Sequence, residues 1–215
     1  MSTVLETCQA EERFLLNGIS WATYEALLGD LEHGGTRLTY DQGRLELMSP
    51  SGHHEWFAEI IGQMIRTMTL ELNIPIRTTG SWTLKRERTR RGVEADKSFY
   101  VANESKVRGR DHLTLQRDPP PDLAVEVEIS RPWIDKAPIY ADLGVPEVWH
   151  YDGERLRVEL LQDDGTYAES PTSAAFPFLP LGKIEEFLDR RAETDETTWI
   201  RRFRDWVRDE LARDR

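Results

Sequence analysis

Two glutamates stand in a stretch where a β-strand is predicted. Glu126 and Glu128 fall two positions apart in the run DLAVEVEIS, residues 122–130, and apolar residues alternate with them. This two-residue period places both carboxylates on one face of an extended chain, roughly 7 Å apart. Buried carboxylates are costly unless they are paired or bind a cation, and Mg²⁺ prefers such oxygen ligands. The stretch is therefore either part of a metal site or an edge strand with one polar face.

Asp96 is the second acid that favours a metal site. In GVEADKSFYV it stands at the start of a predicted strand. If that strand neighbours residues 122–130, Asp96 and Glu126 point into one crevice. Lys136, at the opening of the next predicted helix, could bring an ammonium there to orient water or stabilise charge on a phosphate. Divalent cations activate water and stabilise charge on a phosphodiester, so this set predicts phosphodiester hydrolysis.

The run LKRERTRR, residues 84–91, is a basic surface on an otherwise acidic chain. Its basic residues are Lys85, Arg86, Arg88, Arg90 and Arg91. They fit either a solvated hairpin tip or a contact with a phosphate backbone. His53, at the start of a predicted helix, is likewise either a residue near phosphate or a structural one. Adjacent helical residues point about 100° apart, so His53 and His54 form a poor pair for zinc.

Local patterns predict the elements that position these residues. A short helix begins after Ser20, a hairpin covers residues 36–49, and a long helix with apolar residues at helical spacing covers residues 53–72. Strands flank the basic run, and residues 122–130 form the next strand. A short helix ending at Gly144 and further strands follow. The order predicts an α/β or α+β domain with a mixed central sheet, an N-terminal hairpin and C-terminal helices.

Composition bounds the class of protein. The chain has 215 residues, of which 39% are apolar and 31% charged, as in soluble globular domains. The formal net charge of −11 argues against a protein that coats nucleic acid non-specifically. We expect no membrane span and no signal peptide, because no apolar run is long enough and the start lacks the required pattern. One cysteine, Cys8, is compatible with a cytoplasmic location.

The last stretch of the chain is an amphipathic helix. Its apolar stripe contains Trp199, Ile200, Phe203, Trp206, Val207 and Leu211. This stripe either docks on its own domain or forms a homodimer interface. We therefore divide the chain into an N-terminal segment (1–19), a central domain (20–185) and a C-terminal helical tail (186–215).

Four ordered motifs carry a family resemblance. The segments LELMSPSGHHEW, GVEADKSFYV, PDLAVEVEIS and DKAPIYADLGVPEVWHYD resemble the Uma2 family of restriction-endonuclease-like proteins. The likeness covers roughly residues 20–185. The family is similar to the PD-(D/E)XK nuclease superfamily, and the resemblance therefore implies that superfamily's αβββαβ core.

The resemblance assigns roles by position. Asp96 matches the acid of the "PD" element, with Ala95 in the usual place of the proline, and Glu126 matches the acid of the "(D/E)XK" element. Glu128 stands where the wider superfamily has its lysine, and Lys136 fits the family's lysine in the next helix. The resemblance further implies Glu46 as an accessory metal ligand and His53 as a recurrent histidine. The run SRPW, residues 130–133, departs from the family's usual serine-proline-serine.

The function implied is an endonuclease that hydrolyses DNA with Mg²⁺ or Mn²⁺. Asp96, Glu126 and Glu46 would be its metal ligands, and Lys136 would position the attacking water. Two alternatives stay open. One is a catalytically inactive binding or assembly module of the same fold, with Glu128 as the sign of a decayed site. The other is a hydrolase of small phosphoesters that uses the same carboxylates.

Overall fold

The computed structural model describes residues 11–31, 35–80 and 82–213; Cys8 and the rest of residues 1–10 lie outside the described residues. The strands are β1 (Glu12–Asn17), β2 (Arg37–Asp41), β3 (Arg44–Ser49), β4 (Arg77–Thr78), β5 (Thr83–Arg86), β6 (Arg91–Glu94), β7 (Lys97–Tyr100), β8 (Leu123–Val127), β9 (Glu147–Tyr151), β10 (Leu156–Leu161) and β11 (Tyr167–Ser170). The α-helices are α1 (Trp21–Leu31), α2 (Gly52–Glu71), α3 (Glu104–Val107), α4 (Ala137–Leu143), α5 (Leu181–Asp189) and α6 (Glu196–Trp206). A π-helical turn, Val207–Leu211, extends α6.

The strands form two sheets. The antiparallel N-terminal sheet has the order β1-β3-β2-β6-β5, and the central sheet has the order β11-β10-β9-β8-β7-β4. The central sheet is mixed, because β8 and β9 run parallel while its other neighbours are antiparallel. The chain passes from one sheet to the other between Glu94 and Lys97, so Asp96 lies at the crossing. The predicted fold class, a mixed α/β domain with an N-terminal hairpin and C-terminal helices, is confirmed.

The long helix α2 covers one face of the central sheet. It begins at a side-chain cap, since Ser51 Oγ accepts a hydrogen bond from the backbone N–H of His54 at 3.1 Å. The apolar residues at helical spacing, among them Phe57, Ile61 and Met64, are buried against the sheet. No helix within the described ranges is long and apolar enough to cross a bilayer.

The short helix α4 covers the opposite face of the central sheet. Ile139, Tyr140 and Leu143 pack there against Ala124 and Val148 in a second, smaller core. The helix ends at Gly144, whose φ of +80° suits a left-handed cap. Helix α4 begins directly after Lys136, so this lysine lies at the N-terminal end of the helix. Glu126 faces this smaller core, because it alternates with Val125 and Val127 along β8.

Strand β8 lies inside the sheet. All five of its residues are buried, and it has a neighbour on each side. The alternative of an edge strand with a polar face is therefore wrong for these residues. A carboxylate at Glu126 must instead be satisfied by buried partners.

The C-terminal stripe is buried in its own domain. Trp199, Phe203, Val207 and Leu211 belong to the main core, and α6 packs against α2. The structure thus agrees with the docking alternative for this helix. Ile200 and Trp206, the other two members of the stripe, are half-buried and pack against the same core.

Candidate functional site

Glu126 is the centre of a buried polar cluster. Its side chain is fully buried, and Lys136 Nζ donates a hydrogen bond to its Oε2 at 2.5 Å. The hydroxyl of Tyr140 donates to the other oxygen, Oε1. Both donors come from the start of α4, one turn apart, so this helix fixes both oxygens of the glutamate.

Asp96 lies beside Glu126 at the crossing between the sheets. Lys97 pairs with Val125 in the β7–β8 register, which brings the preceding Asp96 next to the end of β8. The backbone N–H of Val127 donates to Asp96 Oδ2 at 2.8 Å. The strand that follows Asp96 is therefore a neighbour of β8, as predicted, and the negative charge of Asp96 contributes to raising the pKa of Glu126.

His54 connects Asp96 to a second buried acid. Its Nε2 lies 2.9 Å from Asp96 Oδ1, and its Nδ1 lies 2.5 Å from Glu11 Oε1. Burial alone would lower the pKa of the imidazole, but the hydrogen bonds and charges of the two carboxylates outweigh it and raise the pKa to about 9. The ring is thus a cation at neutral pH, and both ring nitrogens donate.

Glu11 joins this chain of charges to the N-terminal sheet. Arg13 Nη2 donates to Glu11 Oε2 at 2.8 Å, and the backbone N–H of Ser130 donates to the same oxygen at 3.1 Å. Burial raises the pKa of Glu11, but the hydrogen bonds from His54, Ser130 and Arg13 lower it to about 2. The carboxylate therefore stays ionised and holds His54 in place.

Lys136 stands between several carboxylates. Burial lowers the pKa of its ammonium, but the charges of Glu126, Asp96 and Glu128 outweigh burial and raise that pKa. For Asp96, burial raises the pKa, and His54 and Lys136 together lower it. Burial raises the pKa of Glu126, although Lys136 opposes this shift. Each oxygen of Glu126 accepts from one donor, the ammonium of Lys136 or the hydroxyl of Tyr140. This is the geometry of a carboxylate paired with an ammonium.

Arg37 approaches the cluster from β2. Its Nε lies 3.7 Å from Asp96 Oδ1, an ion-pair distance that is too long for a hydrogen bond. This buried nitrogen has no hydrogen-bond partner among the described residues. Its Nη2 donates to Glu55 at 2.9 Å. The same side chain lines an open cavity of about 480 Å³ together with Lys85 and Glu94. Arg37 therefore offers an unused N–H beside Asp96.

Glu46 lies in a different part of the network. Arg13 Nη1 donates to its Oε1 at 2.6 Å, and the backbone N–H groups of Trp133 and Ile134 donate to its Oε2 at 2.9 and 2.8 Å. One oxygen thus pairs with Arg13, and the other holds the backbone of the segment between Ser130 and Lys136. The structure gives Glu46 no contact with Asp96 or Glu126, and its observed role is to brace that segment.

Glu128 forms an ion pair with His150. His150 Nδ1 lies 3.5 Å from Glu128 Oε1, an ion-pair contact without a hydrogen bond, and His150 Nε2 lies 3.3 Å from Glu159 Oε2. Burial lowers the pKa of His150, but the two glutamates raise it to about 9. Burial raises the pKa of Glu128, whereas His150 lowers it by more. The extra charge at the superfamily's lysine position is therefore balanced by a neighbouring cation.

Three residues of the basic run are tied to the domain itself. Lys85 Nζ donates to Glu25 at 2.7 Å, and Arg91 Nε donates to Asp41 at 2.9 Å. Arg86 donates to the carbonyls of Asp142 and Leu143, where a cation is favourable because the helix dipole is negative at that end of α4. The remaining two, Arg88 and Arg90, are exposed.

Of the two histidines, the second one reaches the cluster. The ring of His53 packs on Phe57 with centroids 4.5 Å apart, while His54 contacts Asp96. Sequence reasoning missed His54, Glu11 and Arg37. A signal existed for His54, since it shares a helical face with Ala58, Ile61 and Ile65, all of which are buried.

The chemistry of the two central acids fits a hard divalent cation. Carboxylate oxygens are the ligands that Mg²⁺ takes, usually one or two carboxylates together with water and phosphate oxygens. Each oxygen of Asp96 and Glu126 already accepts one hydrogen bond and keeps a second acceptor position. Within the described ranges, no group of three or more potential metal-ligating side chains converges.

Comparisons with known proteins identify the family of this chain. The family model of Uma2, described as "Putative restriction endonuclease", matches residues 21–188. A crystal structure from Anabaena variabilis, described as "a putative nuclease belonging to DUF820", is similar at 14% identity with a TM-score of 0.45, over 70% of this chain and 90% of that one. No curated protein matches the chain. The resemblance found in the sequence motifs is confirmed at the level of the family.

Proposed function

We propose that this chain, which belongs to the Uma2 family of restriction-endonuclease-like proteins, hydrolyses DNA phosphodiester bonds with a divalent metal ion. The observation that carries the proposal is the contact between Lys136 and the fully buried Glu126, with Asp96 beside them. Two buried acids with an ammonium are an arrangement that binding a cation and a phosphate would explain. A merely structural core at this position would be more stable with apolar side chains.

Asp96 and Glu126 would hold the ion, Mg²⁺ or Mn²⁺. When bound, it would polarise the phosphate and lower the pKa of a water molecule that it carries. Glu46 is left out of this ligand set, because its contacts are with Arg13 and the backbone of residues 133–134 and not with Asp96 or Glu126.

Lys136 would act on the phosphate. Its side chain is 6% exposed and its ammonium is fixed by Glu126, so it needs little reorganisation to stabilise negative charge that develops there. Arg37, whose side chain lines the open cavity and lies 3.7 Å from Asp96, would direct its positive charge towards a non-bridging oxygen. His54 and Tyr140 would be positioning residues, since each donates a hydrogen bond to one of the two acids.

A second candidate function is a catalytically inactive module that binds or assembles through the same fold. One observation favours it: protein groups already donate to all four oxygens of Asp96 and Glu126. In that case Lys136 would neutralise Glu126 permanently, and no ion would bind.

A cleavage assay on supercoiled plasmid with the metal-stripped full chain distinguishes the nuclease from the inactive module. We expect nicked and linear products only after addition of Mg²⁺ or Mn²⁺, and loss of these products in Asp96→Asn and Glu126→Gln. Glu169→Gln is the matched control, because this glutamate lies on β11 with its side chain 52% exposed. Cleavage without metal, or full cleavage by Glu126→Gln, would reject the nuclease. Absence of cleavage together with absence of Mn²⁺ binding would favour the inactive module.

A further inference from the structure

Trp133 is an exposed indole on the segment that leads into the candidate site. Its side chain is 61% exposed, whereas each of the six other tryptophans is buried or half-buried. The indole N–H of Trp133 has no hydrogen-bond partner among the described residues, while those of Trp149 and Trp199 donate to Glu147 and to the Phe187 carbonyl. Phe14 is exposed to the same degree, but only Trp133 also carries an indole N–H and precedes Lys136 in the chain, so Trp133 is the one suited to bind a ligand of this site.

The backbone under this ring is held firmly. The N–H groups of Trp133 and Ile134 donate to Glu46 Oε2, and Arg44 Nη2 donates to the carbonyl of Trp133 at 3.0 Å. Ile134 is 1% exposed and anchors the segment in the smaller core. The indole is therefore presented from a fixed position, which lowers the conformational entropy that a ligand must overcome on binding.

The surroundings of the ring are cationic. Arg131 is exposed two positions before it, and the exposed side chain of Arg44 reaches its carbonyl. Arg131, Pro132 and Trp133 line an open cavity of about 480 Å³. The nearest acid along the chain, Asp135, accepts a hydrogen bond from the N–H of Ala137. A flat aromatic face beside guanidinium groups suits a nucleobase and its phosphate better than an apolar protein surface.

Trp133 precedes Lys136 by three residues in the chain. Three residues of fully extended chain span at most about 11 Å, so the Trp133 Cα lies within that distance of the Lys136 Cα. This is a range within which a nucleotide next to the reacting phosphate can reach the indole. A base paired inside a duplex presents no free face for stacking, but an unpaired base does.

We infer that Trp133 stacks on an unpaired nucleobase, with Arg131 and Arg44 beside the adjoining phosphates, and that the chain therefore prefers single-stranded DNA. This inference rests on the proposed function and names the substrate class of the same site. It gives the run SRPW, residues 130–133, a role of its own in binding substrate.

The test compares the binding of a labelled single strand and of the matching blunt duplex by the full chain, with EDTA and again with Ca²⁺. We expect Trp133→Ala to weaken single-strand binding by roughly 5- to 150-fold, the range that one base–aromatic stack provides. Binding to the duplex should change little, and Trp133→Phe should recover much of the loss. Quenching of a 2-aminopurine base in the strand should disappear in Trp133→Ala and return in Trp133→Phe.

Phe14→Ala is the matched control, since Phe14 is 62% exposed and lies on β1. Unchanged single-strand binding by a folded Trp133→Ala, or an equal loss on duplex, would overturn the inference; so would a wild-type chain that binds no DNA. If wild type cleaves plasmid while Trp133→Ala binds normally, only the stacking role fails. If Trp133→Ala loses binding but wild type never cleaves, the stacking role stands and the nuclease fails.

Discussion

His54 Nε2 lies 2.9 Å from Asp96 Oδ1, and both side chains are at least 99% buried. The other nitrogen of the same ring contacts Glu11, which Arg13 joins to Glu46. Acidic and basic side chains thus alternate from Glu46, which binds the backbone of residues 133–134, to the candidate metal ligand Asp96. The orientation of Asp96 therefore depends on a cation that reaches it from α2.

Removal of this cation should destabilise the fold. His54→Ala leaves Asp96 and Glu11 as buried carboxylates without their shared partner, and loss of one member of a buried ionic group costs roughly 3–5 kcal/mol. Urea unfolding measures the change in the free energy of unfolding. His112→Ala, which changes an exposed histidine, should stay within about 0.5 kcal/mol of wild type. Equal stability of the two variants would show that His54 carries no buried charge.

Stability of the metal-free protein should fall as the pH rises above neutral. The pKa of His54 is about 9 in the folded chain against an ordinary value of 6.5, so the folded state binds more protons between these pH values. The stabilisation is complete below about pH 6.5 and is lost as the pH passes about 9, a change of roughly 3 kcal/mol.

Unfolding curves across this window, in EDTA, give that slope. His150 has a similarly raised pKa and adds a slope of the same sign. His54→Gln should therefore remove part of the slope and leave the part that His150 contributes. A slope in His54→Gln as steep as in wild type would contradict the assignment of a protonated ring.

Glu46 should act on stability and leave metal binding unchanged. Glu46→Gln keeps an oxygen for the N–H groups of Trp133 and Ile134 but removes the charge that faces Arg13, whose side chain is 6% exposed. We expect a loss of roughly 3–5 kcal/mol in the free energy of unfolding, because Arg13 loses one of its two buried partners. Calorimetry with Mn²⁺ below the unfolding temperature should give the affinity of wild type. A large loss of affinity in the folded variant would return Glu46 to the ligand set.

The charge of Glu128 should have little effect on plasmid cleavage. Its charge is balanced by His150, so Glu128→Gln should change plasmid cleavage by less than about tenfold, which is about 1.4 kcal/mol in the barrier. Glu159→Gln removes the other partner of His150 and serves as the control. A rise of more than tenfold in Glu128→Gln alone would mean that the native glutamate suppresses catalysis, as the inactive-module alternative requires.

Local sequence patterns were sufficient for most of the elements. The apolar spacing of α2 and the end of α4 at Gly144 are encoded by neighbouring residues, and the structure has both of them. The division of VEADKSFYV between β6 and β7 is different, because the pattern runs on without a break. That division is decided by the two sheets that the strands join, which no local pattern records.

In the candidate site, too, some residues are predicted by local motifs and others depend on tertiary packing. Asp96, Glu126 and Lys136 stand in ordered motifs, and the structure brings these three together. His54 is 42 residues from Asp96, and Glu11 is 43 residues from His54, so their contacts depend on tertiary packing. Lys85, Arg86 and Arg91 of the basic run have partners within the domain, and a role of the run in substrate binding stays a prediction.

Anomalous diffraction from a crystal soaked in Mn²⁺ tests the central claim most directly. The account predicts a peak between the carboxylates of Asp96 and Glu126 in wild type, and no peak in Glu126→Gln crystals soaked in the same way. A crevice without a peak at saturating Mn²⁺, with Lys136 Nζ still hydrogen-bonded to Glu126, would contradict it.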